Sequence, residues 1–479
     1  MSAAATGGVL AATASAQQAP AMSFVVGGVP RGGTTFFGQL FNVHEDVFCY
    51  FMETSLFRQL HAFGRDRPFP AENLPALAQW LRSQLWGTLV EGTSEARVAK
   101  FRRLVRFREV LAEHGLAEPS GPGLRVWDAA AFEGLLRDVV GLFAAGLHGA
   151  PLFSAGIALL ERHFGAVTQR RLLGEKTPDN VFFLQDLQQA RPSLKAFCIV
   201  REPYSTLESM KRRALRNDHF FDSAFSSDVM GGIAEYYRYL RVLSDLDAVA
   251  APGALHVLRF EDLVRSPERT MASVFGALGL GMTPAAEAIL PQLSLPTDPR
   301  HLGDFDLSPT ERRLVELVLG PMLRRFGYAD TGEAGAAPSG GFEEGVFALR
   351  GVHLDGGPED AIAGKWLARR ADLLLLFGPR RRKVVLRLAS HFPSAAGVDE
   401  VAVSLSSGGV SLARVTGPAR GPLTIEVPLD ALPTVRASDA IGAALLELEV
   451  SSSFVPITVA GCGSDLRDLA LQLASCQLA

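Results

Sequence analysis

Residues 24–37 read Phe-Val-Val-Gly-Gly-Val-Pro-Arg-Gly-Gly-Thr-Thr-Phe-Phe. An apolar, β-branched run stops at Gly27-Gly28. A glycine-rich loop carrying Arg31 follows, and Thr34-Thr35 open an amphipathic segment from Phe36 to Phe41. Strand, glycine loop and helix in that order gather loop N–H groups and a helix N-terminus around one point, which suits a phosphate. Gly28 and Gly33 have the spacing of a triphosphate-binding Gly-x-x-x-x-Gly-Lys loop, but Thr34 stands where the lysine belongs. The positive charge sits inside the loop instead. The loop therefore predicts a grip on one phosphate with a cation aimed at the atom beside it.

A second block lies at 195–213, Lys-Ala-Phe-Cys-Ile-Val-Arg-Glu-Pro-Tyr-Ser-Thr-Leu-Glu-Ser-Met-Lys-Arg-Arg. It predicts a buried strand Lys195–Val200, a turn at Glu202-Pro203 and a helix Tyr204–Arg213. Ligands of open α/β sheets bind outside the carboxyl ends of the strands, which places Arg201 to meet an anion. Its planar guanidinium can hold two phosphate oxygens at once, and Ser209 on the following helix can add a hydroxyl.

Together these blocks resemble the sulfotransferases. Pro30-Arg31-Gly32-Gly33-Thr34-Thr35 is similar to that family's phosphosulfate-binding loop, Pro-(Arg/Lys)-Ser-Gly-Thr-Thr, with Gly32 in place of the serine. Residues 195–213 resemble its segment for the donor's 3′-phosphate, with Arg201 and Ser209 at the matching positions. Gly174-Glu175-Lys176-Thr177-Pro178 resembles the Glu-Lys-Ser/Thr-Pro motif of carbohydrate and bacterial members, whose lysine contacts the sulfuryl group. His256–Arg265, followed by Ser266-Pro267-Glu268, is similar to a late strand and helix start common in the family.

The resemblance covers residues 23–330. It implies 3′-phosphoadenosine 5′-phosphosulfate as co-substrate and transfer of its sulfuryl group to an acceptor hydroxyl, with no metal. Backbone N–H groups of Gly32, Gly33, Thr34 and Thr35 would hold the 5′-phosphate, and Arg201 with Ser209 the 3′-phosphate. Arg31 and Lys176 would neutralise the sulfuryl and bridging oxygens. The loop 296–304 falls where the family closes a basic loop over the nucleotide, which adds Arg300 and His301 as donor contacts, although the usual Lys-Gly pattern is absent. The acceptor must lose a proton as it attacks. Glu53 follows a predicted strand around Val47–Tyr50, where Golgi-type and bacterial members often carry a catalytic glutamate. Its plainer reading is a glutamate complementing a helix dipole. His44, His148 and His163 are the alternative bases.

The rest of the chain is consistent with this reading. Its 479 residues suggest two or more domains, and a formal charge of −4 implies no nucleic-acid partner. Cys49, Cys198, Cys462 and Cys476 have neither metal-site nor disulfide-framework spacing, which favours a reducing, cytoplasmic setting. No window of about eighteen apolar residues predicts a membrane span. Residues 1–22 read as a disordered tail without the basic start of a signal peptide.

The expected fold is α/β: a P-loop-like parallel sheet flanked by helices over 23–330, with 54–170 a largely helical insert. A linker at 331–342 and a C-terminal β-sandwich over 343–479 follow. Ser407-Gly408-Gly409 reads as a hairpin turn between two of its short strands. Lys100–Arg108 is basic with apolar residues interleaved, either a solvated helix face or a patch for an anionic acceptor. Trp366 is either a core residue or a sugar platform. The appended β-domain and the Glu-Lys-Thr-Pro block lean the acceptor towards a glycan, with a protein tyrosine, a lipid or a small natural product as alternatives. A P-loop kinase and a non-catalytic carbohydrate-binding protein are the rival functions.

Overall fold

The computed structural model describes residues 19–50, 52–94, 102–116, 126–215, 229–293, 307–328, 342, 344–353, 365–438, 440–453, 456–458 and 469–479. Five strands, β1 (Ala21–Gly28), β2 (Val47–Tyr50), β3 (Leu172–Lys176), β4 (Lys195–Val200) and β5 (Leu255–Arg259), form a wholly parallel sheet in the order β2-β3-β1-β4-β5. The chain first winds from β1 towards β2 and later towards β4, so the winding reverses at β1. That reversal opens a crevice at the carboxyl ends of the strands.

Helix α1 (Thr34–Leu40) follows β1. Between β2 and β3 lie α2 (Leu56–Gly64), α3 (Leu74–Trp86), α4 (Arg102–Glu113), α5 (Ala129–Ala144) and α6 (Gly149–Gly165). Helix α7 (Leu184–Ala190) leads into β4, and α8 (Pro203–Leu215) and α9 (Val229–Asp247) lead on to β5. Helices α10 (Phe260–Arg265), α11 (Pro267–Ala277), α12 (Pro284–Ile289) and α13 (Pro309–Arg325) complete this half. The bounds of α13 follow from local chemistry. Ser308 and Glu311 form a reciprocal capping box with Pro309 at the first helical position, and Gly327 at φ 78° turns the chain out of the helix.

The sheet has apolar side chains on both faces, as a parallel sheet covered by helices requires. Phe24 and Val26 face one core, where Phe24 stacks on Phe41 at 4.3 Å and meets Phe197 edge-on at 6.0 Å. Val25 faces the other core, shared with α2, α5 and α6. In α4, Phe107, Val110 and Leu111 are buried in the first core, while Arg106 pairs with Glu109 and Glu113 at 3.5 and 3.4 Å. Among its described residues, α4 is thus an amphipathic packing helix.

The C-terminal half is antiparallel. Its strands are β6 (Gly345–His353), β7 (Lys365–Phe377), β8 (Lys383–His391), β9 (Glu400–Ser407), β10 (Val410–Pro418), β11 (Arg420–Pro428), β12 (Val435–Arg436), β13 (Gly442–Val450) and β14 (Leu471–Leu478). The main path runs β10-β9-β13-β7-β14-β8-β11, and β10 and β11 approach each other, so the sheet rolls over its own core. Gly408 and Gly409, at φ 55° and 82°, make the two-residue β9–β10 turn, which needs positive φ at both positions.

Strand β7 is buried on both sides. Ala371, Leu373 and Leu375 enter the rolled core, whereas Leu374 and Leu376 join the core of the α/β half. Asp372, on that second face, pairs with Arg350 at 2.9 Å. Arg241 of α9 bonds Glu447 of β13, and Arg313 of α13 donates to the Arg436 carbonyl at 2.8 Å. The two halves therefore meet through apolar packing and buried charge along α9 and α13. Trp366 is half-buried, packs against the rolled core and meets His391 edge-on at 5.8 Å.

Candidate active site

The loop after β1 is a turn built by its own residues. Pro30 supplies the fixed φ that suits the second position of a turn, and Gly32 N–H closes it on the Val29 carbonyl at 2.9 Å. Arg31 occupies the third position at φ 64°, a left-handed conformation that costs a non-glycine residue about 1–2 kcal/mol. A Cβ on Gly32 would lie 2.8 Å from the Val29 carbonyl, which accounts for glycine where the resemblance expects serine. Gly33, at φ 98°, caps α1, and a Cβ there would overlap the Phe260 ring at 2.3 Å. Helix α1 has no side-chain cap, and its first intrahelical donor is Phe37 N–H to the Gly33 carbonyl. The N–H groups of Gly33, Thr34, Thr35 and Phe36 therefore precede the first bonded turn. Gly32 differs from the expected set, because its N–H already closes the turn.

Arg31 is exposed, and its Nε donates to Ser209 Oγ at 3.0 Å, joining the loop to α8. Arg201, at the end of β4, reaches the Arg31 carbonyl at 3.4 Å, with its guanidinium 4.8 Å from the Phe260 ring centre. The structure thus brings Arg31, Gly33, Ser209 and Arg201 together. The backbone around Arg201 is held by neighbours. Tyr236 of α9 donates to the Arg201 carbonyl, and Glu261 accepts from Glu202 N–H at 2.8 Å. Tyr328 Oη lies 2.7 Å from Glu261 Oε2 and 3.1 Å from the Val200 carbonyl. Glu202 caps α8 by accepting from Tyr204 and Ser205 N–H at 2.6 and 2.9 Å. Burial raises its pKa, opposed by those hydrogen bonds.

Lys176 ends β3 beside β1, 2 % exposed, with its stem across Gly38 of α1. Its Nζ donates to Glu53 Oε1 at 3.0 Å, and Glu53 is 34 % exposed. A desolvated ammonium thus faces a partly hydrated carboxylate, poised between a fixed charge and whatever enters from solvent. Behind them Glu175 is fully buried. It accepts from Thr54 N–H and Oγ1 at 3.0 and 2.9 Å and from Asn180 Nδ2 at 2.6 Å, with the Thr177 hydroxyl as a further donor. Burial pushes its pKa up despite these donors. This hub ties the segment after β2 to the end of β3 and fixes Glu53 against Lys176. Ser55, at φ 51°, gives its N–H to Thr177 Oγ1 at 3.3 Å, so backbone strain also collects here.

The alternative bases lie in other surroundings. His44 precedes β2, at the amino edge of the sheet; its Nδ1 accepts from Asp46 N–H at 3.1 Å while Nε2 faces the Gly281 carbonyl at 3.2 Å. His163 accepts from the Trp127 indole at 3.2 Å through Nδ1, and His148 is exposed at the start of α6. Arg300 and His301 lie outside the described residues. Sequence reasoning assigned no supporting role at the site to Glu175, Glu202, Tyr236, Glu261 or Tyr328. A carboxylate inside an apolar strand, at Glu175, was the one visible signal; the others depend on helices distant in sequence. Among the described residues, no cluster of three or more His, Cys, Asp or Glu side chains is arranged to hold a metal ion, and no helix is long and apolar enough to cross a membrane.

Known proteins resemble this chain chiefly over its parallel-sheet half. Residues 23–284 match the Sulfotransferase family. Over 171 residues the chain is 26% identical to an omega-hydroxy-beta-dihydromenaquinone-9 sulfotransferase, Stf3, of Mycobacterium bovis and Mycobacterium tuberculosis, covering 33% of this chain and 42% of that protein. The chain thus spans less than half the length of these relatives. Among solved structures it is similar to the sulfotransferase domain of the Synechococcus PCC 7002 olefin synthase, at 17% identity and TM-score 0.39 over 65% of this chain and 97% of that one. It is also similar to sulfotransferase STF9 of Mycobacterium avium, at 13% identity and TM-score 0.35 over 65% and 78% of the two chains.

Proposed function

The chain belongs to the Sulfotransferase family, and from that premise we propose that it moves the sulfuryl group of 3′-phosphoadenosine 5′-phosphosulfate to an acceptor hydroxyl. The observation that carries this reading is the buried Lys176 ammonium, paired with Glu53 at 3.0 Å at the same strand ends as the Arg31 loop. The acceptor oxygen bonds to sulfur as the bond from sulfur to the donor's 5′-phosphate oxygen breaks. The acceptor proton passes to Glu53, and adenosine 3′,5′-bisphosphate leaves. Charge spreads over the sulfuryl and bridging oxygens in the transition state, where cations already held in place count most. Lys176 has three N–H donors, one on Glu53, so the same ammonium can serve both base and sulfuryl oxygens. Thr34 and Thr35 N–H at the start of α1 suit the 5′-phosphate. Arg201 with Ser209 suits the 3′-phosphate, which separates this donor from ATP.

For the acceptor, we favour an apolar molecule carrying a hydroxyl over a glycan. The relative that is 26% identical is named for a hydroxylated menaquinone, and half-buried Met52, packed against the core, adjoins Glu53. The glycan expectation leaned on the β-domain, whose Trp366 packs against that domain's own core. The test is sulfuryl transfer from labelled donor to long-chain alcohols and hydroxylated isoprenoids, run beside oligosaccharides. Product from the apolar alcohols is expected. Product from oligosaccharides alone would restore the glycan, and product from ATP instead of the sulfate donor would overturn the reaction class.

A further inference from the structure

The end of β4 is held at three consecutive residues by side chains from three other elements. The Val200 carbonyl faces Tyr328 Oη at 3.1 Å, the Arg201 carbonyl accepts from Tyr236, and Glu202 N–H donates to Glu261 at 2.8 Å. Tyr328 Oη also lies 2.7 Å from the other oxygen of Glu261, so the three side chains are joined. None of them points a free polar group into the crevice; they act on the peptide groups on either side of the Arg201 Cα.

We infer that Tyr236, Glu261 and Tyr328 are positioning residues that fix the Arg201 guanidinium for the donor's 3′-phosphate. The inference rests on the donor reading above. A guanidinium that must present two donors to two phosphate oxygens tolerates little rotation of its backbone. β4 has ended here, and Pro203 contributes no N–H, so the strand ladder no longer supplies that stiffness. The clamp replaces it. Burial pushes both phenols far above their ordinary pKa, so each remains a hydrogen donor at any working pH. The Arg259 guanidinium, 4.4 Å from the Tyr328 ring centre and 2.9 Å from the Gly327 carbonyl, keeps that tyrosine in place.

The experiment compares the dissociation constants of adenosine 3′,5′-bisphosphate and adenosine 5′-monophosphate by titration calorimetry. It uses the full chain and the variants Tyr236→Phe, Tyr328→Phe and Glu261→Gln. The wild type should prefer the bisphosphate. Either phenylalanine variant should shrink that preference about three- to tenfold while changing monophosphate binding less than about twofold, since one hydrogen bond is removed and only the 3′ contact depends on it. Glu261→Gln, which keeps an acceptor for Glu202 N–H, should retain more of the preference than Glu261→Ala. Tyr237→Phe is the control: this neighbour on α9 has a buried hydroxyl with no hydrogen-bond partner among the described residues, and the preference should not move. Equal weakening of both nucleotides, or an unchanged ratio in all variants, would overturn the positioning role. A wild type without any preference would overturn the donor reading itself, and this inference with it. Should a phenylalanine variant fail to fold, the Glu261 pair provides the same comparison.

Discussion

Replacing Glu53 with Gln tests the centre of the proposed mechanism, because it keeps shape and removes one charge. At 3.0 Å and an effective dielectric of about 20, the Glu53–Lys176 attraction is roughly 5.5 kcal/mol before desolvation is subtracted. Removing one partner of a fully buried pair costs about 3–5 kcal/mol. Glu53 is 34 % exposed, so water shares the Lys176 charge and about half of that is expected. A loss near 2 kcal/mol corresponds to a melting point lower by about 2–4 °C for a unit of this size, at about 2.1 cal/mol/K of unfolding entropy per residue. Turnover should fall about 10²–10⁴-fold, the usual contribution of a positioned base, with bisphosphate affinity unchanged. The ammonium left without a counterion should also welcome an anion, so inorganic sulfate should raise the variant's melting point more than the wild type's. Scanning calorimetry with and without sulfate, a labelled-donor assay and a bisphosphate titration read these four quantities. Turnover within about twofold of wild type would refute Glu53 as the base. An unchanged melting point with an equal sulfate response would refute the account of a buried charge in need of a partner.

Three further outcomes are expected. Arg31→Gly should hold or raise the melting point by a few degrees, because it relieves about 1–2 kcal/mol of left-handed strain against the added chain entropy of glycine, while turnover drops at least about 10²-fold; a melting point lowered beyond about 5 °C would contradict the strain. Below pH 6.5 the protein should lose stability, because His44 and His163 have folded pKa values lowered by burial. The unfolded chain takes up protons that the folded one refuses, so stability rises with pH from the depressed values up to about 6.5 and then levels; His163→Gln should flatten a melting-point profile between pH 5 and 7, about the window in which histidine titrates. Asp372→Asn, which takes the carboxylate from the largely buried Arg350, should cost about 3–5 kcal/mol, and calorimetry should show both halves melting earlier, because the Asp372 face of β7 packs into the α/β half.

The parallel half was legible because its motifs are local. A β-branched run into glycines, or an arginine between a strand and a proline, encodes strand, turn and helix within fifteen residues or so, and the sheet places such ends together. The hairpin at Gly408-Gly409 was legible for the same reason. What supports those motifs was not. Glu175 was visible as part of Glu-Lys-Thr-Pro, but its role as hub depends on Thr54, which is 121 residues away. The clamp on Arg201 draws on α9, α10 and the residues after α13, and no spacing in the sequence announces that meeting. The run Ala371–Leu376 gave no alternation to read, because both of its faces are buried; period-2 patterning exists only where one side meets water. The expectation of a glycan acceptor came from the appended β-domain and the Glu-Lys-Thr-Pro block, neither of which touches an acceptor in a way that a sequence can show.

That doubly buried strand also bears on how the chain avoids misfolding. A slip of one residue between β7 and β13 would exchange Leu374 and Leu376 for Leu373 and Leu375, and for leucine the two cores are nearly indistinguishable. Asp372 breaks the degeneracy. In the native register its carboxylate meets Arg350; one residue out, it would enter an apolar interior with no cation to meet it. One costly charge in a stretch of leucines thus acts as an index mark. It makes the wrong alignment of the two halves much worse than the right one.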